Sequence, residues 1–372
     1  MADSHRRDFI TGKSWPAAAR EMLDRQFPHS PLTTVKTEYL LSYTRRAMAC
    51  DFSVWLPADA SAEATTAALA ALDLVENLEA QLTIYQSTSE ISRINELAAT
   101  EPVVVESRLF ELLCQARTLW SESRGAYDIT SGPLSEVWGF SRKQGRLPSE
   151  QEISAALTRV GSQHLQLNPR DHTVRFLQPG LTLNLASIGK GYALDRCAEI
   201  FAAAGVERYL LHGGNSSLLA RAPLATEIAR ESIPGTPPPL PVKGPDNWWI
   251  GVRDPYLPDQ RILEVNLRNR AAGTSGAAVQ HFWHQGKRYG HILDPRTGWP
   301  AETALSATVL APTSAMADAI STACYVLGAE GAAELLATQP GVAALIFSPG
   351  KKASEWELTT LGLDPADLRQ VS

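Results

Sequence analysis

Asp318, Ser321 and Thr322 stand at i, i+3 and i+4 in a segment with helical patterning, so their oxygens leave one helix face about one turn apart. A carboxylate with two hydroxyls is a hard-oxygen set that suits a divalent cation such as Mg²⁺, which keeps waters and shares substrate phosphates. The plainer reading is an acidic residue favoured in early helical turns beside a threonine that packs. Gly189-Lys190-Gly191 lies between a strand pattern and a helix pattern, where backbone N–H groups and an ammonium can meet a phosphate. It lacks the G-x-x-x-x-G-K-[ST] spacing of a P-loop, and a simple helix-start turn explains it equally. Gly213-Gly214-Asn215 either admits a ligand or turns the chain. His291, inside Gly290-His291-Ile292-Leu293-Asp294-Pro295-Arg296-Thr297-Gly298, is a residue type that takes a proton from a hydroxyl near neutral pH; the alternative is an ordinary histidine on a surface hairpin. Gly273-Thr274-Ser275-Gly276 lacks the G-x-S-x-G nucleophile elbow and reads as a polar loop against a ligand. Gly125-Ala126-Tyr127-Asp128-Ile129-Thr130 offers a carboxylate and a hydroxyl after a helix stop, and by itself is a capped turn.

The elements that must position these residues follow from hydrophobic spacing. Thr44–Leu56 reads as a strand, Ser61–Leu82 as an Ala/Leu-rich helix, and Tyr85–Asn95 as a polar connection. Glu106–Ser123 is amphipathic and ends at Gly125. Val174–Leu185 alternates as a strand pair around Pro179-Gly180, and Lys190–Ala204 is a helix with Gly205 as its stop. Strand patterns recur at Arg208–His212, Trp248–Val252, Ile262–Leu267, Phe282–Leu293 and Ala304–Leu310. Helices follow at Ala315–Leu327 and Ala329–Leu336, then a last strand at Val342–Phe347. The mixed order, without steady βαβ alternation, predicts an α+β fold of mixed, largely antiparallel sheets with packed helices. Between Arg221 and Asn247 seven prolines mark a surface insertion. The expected organisation is an amino-terminal arm over 1–35 and one domain over 36–372.

The chain has 372 residues and a net charge of −6. Its composition is that of a globular protein, which excludes collagen-like, disordered and small disulfide-scaffold classes. An acidic balance without a basic block argues against nucleic acid as the main partner. Cys50, Cys114, Cys197 and Cys324 lie far apart with no C-x-x-C pair, and read as core thiols. With no run of 18 apolar residues, no membrane span is expected and a soluble protein is. Ser4-His5-Arg6-Arg7-Asp8-Phe9-Ile10 resembles a twin-arginine export signal, but Lys13, Arg20, Glu21, Asp24 and Arg25 interrupt every apolar window after it. A cytoplasmic location is therefore expected, with periplasmic export the alternative.

Further landmarks are Ala47-Met48, Ser89-Glu90-Ile91-Ser92-Arg93-Ile94-Asn95, Gly132-Pro133-Leu134 with Trp138-Gly139-Phe140, Ile188-Gly189-Lys190-Gly191-Tyr192-Ala193-Leu194-Asp195, and Ala317-Asp318-Ala319-Ile320-Ser321-Thr322-Ala323. In their shared order, from Arg46 to Gly328, these segments resemble the FAD:protein FMN transferase family, the ApbE-like flavin transferases. The resemblance implies an α+β enzyme of protein flavinylation. Such an enzyme uses Mg²⁺ to transfer FMN from its substrate FAD to a Thr or Ser hydroxyl of an acceptor flavoprotein, releasing AMP. By motif position it implies FAD contacts at Met48, Tyr85, Ala126, Tyr127, Asp128, Asn184, Lys190 and Ile292. It implies a metal site from the Ser187 carbonyl with Asp318, Ser321 and Thr322, and catalytic roles for His291, Lys190 and Asp318, with His291 the base. Two positions depart from the family pattern: Ala49-Cys50 replaces Gly-Thr after Ala-Met, and Asn184 stands where Asp is usual. Two other activities share the implied residues: an Mg²⁺-dependent FAD diphosphatase with water as acceptor, and a non-catalytic FAD-binding protein.

Overall fold

A computed structural model describes residues 40–142, 144–214, 216–222, 248–278, 280–352 and 354–371. The amino-terminal arm, and with it the Arg6-Arg7 motif, lies outside the described residues, as does most of the proline-rich insertion. The insertion's two ends meet: the Trp248 indole N–H donates to the Arg221 carbonyl at 3.0 Å, and Ala222 N–H to Asn269 Oδ1.

In chain order the elements are β1 (Leu40–Ala47), β2 (Cys50–Pro57), α1 (Ala62–Leu82), α2 (Glu90–Leu97), β3 (Val103–Val104), α3 (Ser107–Glu122), α4 (Gly132–Val137) and α5 (Glu150–Leu157). Next come β4 (Leu165–Asn168), β5 (Thr173–Phe176), α6 (Gly189–Ala203), β6 (Tyr209–Gly213), β7 (Ser217–Arg221), β8 (Trp249–Arg253), β9 (Arg261–Asn266) and β10 (Ala271–Gly276). The chain closes with β11 (His281–His284), β12 (Lys287–Gly290), β13 (Ser306–Ala311), α7 (Ser314–Leu336), β14 (Ala343–Pro349), β15 (Trp356–Leu361) and β16 (Leu368–Gln370).

Eight strands form one sheet in the order β1-β2-β6-β7-β10-β13-β14-β15, joined throughout by antiparallel pairing. Its central strands β6, β7, β13 and β14 are buried along nearly their whole length, because both faces are covered. Leu211, Leu219, Val309, Ala344 and Ile346 point to a core shared with α1, α6 and α7. Their neighbours Leu210, Leu218, Leu310, Ala343, Leu345 and Phe347 point the other way, onto Ile262, Leu263, Val265 and Leu368 of the small sheet β16-β9-β8. The period-two alternation of a strand thus feeds two cores. A third cluster, with Trp138, Phe140, Ile153 and Leu293, ties α4 and α5 to the β11-β12 hairpin. The α+β architecture of antiparallel sheets with packed helices is as the residues lead one to expect. Among the described residues no helix is long and apolar enough to cross a membrane.

Several local expectations are corrected. Thr44–Leu56 is not one strand but a hairpin, since Met48 and Ala49 both take left-handed backbone, at φ 48° and 60°, the geometry a two-residue hairpin turn requires. The polar connection Tyr85–Asn95 contains the start of α2, whose N-cap Ser89 accepts from Ser92 N–H. Of Val174–Leu185 only the first residues form a strand, β5, paired with β3 and β4. Phe282–Leu293 is a hairpin folded at Gln285-Gly286. Gly273-Thr274-Ser275-Gly276 is no loop but the end of a central strand. Helix α4, helix α5, opened by the Ser149/Glu152 capping box, and strands β3, β4, β7, β15 and β16 lie beyond those expected. The helices expected on either side of Gly328 are one run, broken at that residue by φ 71°. Cys197 and Cys324 are core thiols, whereas Cys50 and Cys114 are only half-buried.

Candidate active site

Two glycines allow α7 to approach its neighbours. A Cβ on Gly273 of β10 would fall 2.4 Å from the Ala317 carbonyl, and one on Gly191 of α6 would fall 2.1 Å from the Ser314 carbonyl. With no side chain at either place, the backbones of α6, β10 and α7 close around Asp318. This residue is buried; Gly191 N–H donates to Oδ2 at 2.8 Å, and the Ser217 hydroxyl lies 2.7 and 2.9 Å from its two oxygens. Burial raises the Asp318 pKa above the usual carboxylate value, while the Lys190 ammonium and these donors pull it down. One turn on, the Ser321 and Thr322 hydroxyls turn back on the Asp318 carbonyl, and Ser275 of β10 bridges them at 2.8 and 3.1 Å.

Helix α7 is aimed by its start. Thr313 caps Met316 N–H, and the Asp195 carboxylate, from α6, accepts the N–H groups of Ser314 and Ala315 at 2.7 and 2.8 Å. An anion on the first orphan donors of a helix is favoured by both hydrogen bonding and the helix dipole. Burial pushes Asp195 up to about 6 against the pull of those two N–H groups.

Lys190, in the first turn of α6, makes no ion pair or side-chain hydrogen bond among the described residues. Its positive charge pulls down the pKa of Asp318, of His291 and of Cys50. His291 follows β12. Its Nδ1 lies 3.0 Å from the Gln280 carbonyl, an acceptor only, so Nδ1 carries the proton and Nε2 keeps its lone pair. Burial, with Lys190 adding to it, lowers the His291 pKa below 6.5; the ring is a neutral base at pH 7. The segment after it is anchored by the Trp138 indole N–H on the Gly298 carbonyl at 2.8 Å.

The sequence pattern of the ApbE family matches residues 47–346. The FAD:protein FMN transferase of Treponema pallidum (strain Nichols) is 32% identical over 288 residues, 75% of this chain and 76% of the relative. That of Escherichia coli (strain K12) is 30% identical over 282 residues, 74% and 75% of the two chains. The chain belongs to the ApbE family. Its function at the level of that family is that of an ApbE-like flavin transferase. The crystal structure of the ApbE protein of Thermotoga maritima MSB8 superposes with a TM-score of 0.71 at 27% identity, covering 83% of this chain and 94% of the other. The apo flavinyl transferase ApbE of Pseudomonas stutzeri gives 0.71 at 27%, over 89% and 97%.

The other residues assigned by the ApbE resemblance are placed as follows. Met48 occupies the left-handed turn of the β1-β2 hairpin, half-buried, and Ala49 beside it holds a conformation easier for glycine. Ala126 and Tyr127 are buried; the Tyr127 hydroxyl, raised by burial, receives a 3.4 Å hydrogen bond from Ser187. Asp128 is committed to its own protein: it accepts from the N–H and hydroxyl groups of both Thr130 and Ser162, so it braces the turn that carries Ala126 and Tyr127. Asn184 Oδ1 accepts Ala186 N–H at 3.0 Å, shaping the turn that presents Ser187. Ile292 is buried beside His291. Tyr85 is 75% exposed and reaches across to the Ser141 carbonyl. Ser217, Ser275 and Asp195 join the site without having been singled out as site residues from sequence. For Ser275 and Asp195 the signal was present, since both fall inside landmark motifs; Ser217 sits in no motif.

Proposed function

We propose that this protein transfers FMN from FAD to a Thr or Ser hydroxyl of an acceptor protein and releases AMP. What carries the reading is a set of groups linked by charge: the Lys190 ammonium, unpaired among the described residues, the buried Asp318 with its hydroxyl neighbours, and the neutral His291 ring with Nε2 available. Among the described residues no three of His, Cys, Asp and Glu gather as metal ligands. The oxygen set of Asp318, Ser321, Thr322 and the Ser187 carbonyl suits a hard cation completed by water and phosphate oxygens, so Mg²⁺ fits and zinc does not. When bound, Mg²⁺ supplies neutralisation of the pyrophosphate charge.

The chain's own groups account for the rest. Lys190 at the α6 N-terminus draws the diphosphate in and holds charge that grows on its oxygens as the bridge breaks. His291 Nε2 takes the proton of the acceptor hydroxyl, a weak nucleophile without a base. The hydroxyl oxygen bonds to the FMN phosphorus, the P–O bond to the adenylate breaks, and AMP departs with the bridging oxygen. In this reading Met48, Tyr85, Ala126, Tyr127, Asn184 and Ile292 are the contacts for the flavin half, Tyr85 being the exposed one.

The test is incubation with FAD, MgCl₂ and a candidate acceptor flavoprotein, reading AMP by chromatography and the acceptor by intact mass. The expected result is one FMN added per AMP formed. AMP without labelled acceptor would identify an FAD diphosphatase, and bound FAD with no AMP a non-catalytic flavin binder.

A further inference from the structure

Ser217 opens β7 just after the glycine turn that ends β6. In register it faces Gly213 of β6 and Gly273 of β10, so no side chain flanks it on either neighbouring strand. Its own side chain is fully buried beneath α7. The hydroxyl is nearly equidistant from the two Asp318 oxygens, at 2.7 and 2.9 Å, and its single proton is shared across the carboxylate. Ser216 Oγ lies 3.4 Å from Ser217 Oγ. With the Ser217 proton committed to the acid, Ser216 is the donor in that contact. The remaining donor to Asp318, Gly191 N–H, comes from α6. The direction of the Asp318 carboxylate is therefore set by a strand and a neighbouring helix, not by the helix that carries it.

We propose that Ser217 is a positioning residue for Asp318: its hydroxyl fixes the plane of the carboxylate, and thereby the affinity of the site for a divalent cation. The proposal rests on the reading of Asp318 as a cation ligand. A group that hydrogen-bonds a ligating side chain orients it, and loss of such a partner typically weakens metal binding about 10–100-fold. Alanine here removes only one oxygen, so its effect reports the hydroxyl rather than the packing.

The experiment measures Mn²⁺ binding to the full chain by electron paramagnetic resonance of the free ion, for wild type, Ser217→Ala and Ser217→Cys. FAD affinity by fluorescence and Tm are recorded alongside. Ser217→Ala is expected to weaken Mn²⁺ about 10–100-fold with FAD affinity unchanged, and Ser217→Cys, of similar volume but a poorer donor, to fall between. Wild-type Mn²⁺ affinity in Ser217→Ala, or a fall in Tm alone, overturns the proposal. Should Ser217→Ala not fold, Ser217→Cys decides: weakened binding supports the role, and wild-type binding refutes it. A wild type that binds FAD but no Mn²⁺ sinks the ligand reading of Asp318 itself, and the positioning role with it.

Discussion

Replacing Gly191 by alanine tests whether the close approach of α6 and α7 builds the site. The added Cβ would lie 2.1 Å from the Ser314 carbonyl oxygen and 2.7 Å from Ala315 N, where ordinary contact begins at 3.4 Å. The shortfall is about 1.3 Å, and the atoms it strikes are backbone at the start of a helix, which cannot rotate away. If α6 retreats by that amount, the 2.8 Å bond from Gly191 N–H to Asp318 stretches past hydrogen-bond range. Overpacking of this kind costs about 1–3 kcal/mol, partly offset by the roughly 1 kcal/mol that alanine gains over glycine in a helix. The net expectation is a Tm lower by a few degrees. Catalysis is more sensitive, because displacing a catalytic group by about 1 Å costs on the order of 100-fold in rate. Gly189→Ala is the internal control. Its Cβ would meet only Leu82 Cδ1 at 3.8 Å, so it should melt no lower than wild type. The assay is AMP release from FAD under saturating MgCl₂, with thermal melts of both variants. Gly191→Ala at wild-type Tm and within threefold (roughly the scatter of context-dependent effects) of wild-type turnover would refute the argument.

Other expectations follow from the same geometry. His291→Gln should slow FMN transfer by about 10²–10⁴-fold, the usual worth of a general base, while FAD binding by fluorescence stays intact. Because burial and Lys190 lower the His291 pKa, the acid limb of kcat/KM should fall below pH 6.5; a limb above that value contradicts His291 as the base. Asp318→Ala removes the acceptor for Ser217 and Gly191, leaving buried donors that cost about 1–3 kcal/mol each. It should abolish AMP release and the rise in Tm on adding MgCl₂. Asp195 is held at about 6, above the unfolded value, so between about pH 4 and 6 the folded protein binds a proton that the unfolded chain has lost, and stability falls as pH rises through that window. Asp195→Asn should flatten that dependence in urea melts at each pH, and should weaken the α7 start by about 1 kcal/mol at neutral pH.

The long helices α1, α3, α6 and α7 were legible because each is a local pattern. Ser61 and Glu106 bound α1 and α3 at the expected places, and Gly205, at φ 67°, ends α6. What misled was residue type taken without context. Gly273-Thr274-Ser275-Gly276 has the composition of a loop, yet it is a strand whose small residues are required by the passage of α7 across it. Met48-Ala49 lacks the Asn-Gly of a tight hairpin and still makes one. Asp128, by itself read as part of a capped turn, does spend its carboxylate on Thr130 and Ser162.

The order of short motifs was enough to establish the family and the α+β class, since motif residues and hydrophobic periods are written locally in the chain. Tertiary structure alone determined that Ser217, 101 residues from Asp318, meets its carboxylate, and that Asp195 of one helix caps the start of another. Contacts between residues so far apart depend on strand order and on how closely two backbones can approach, and no period or spacing along a single chain encodes either.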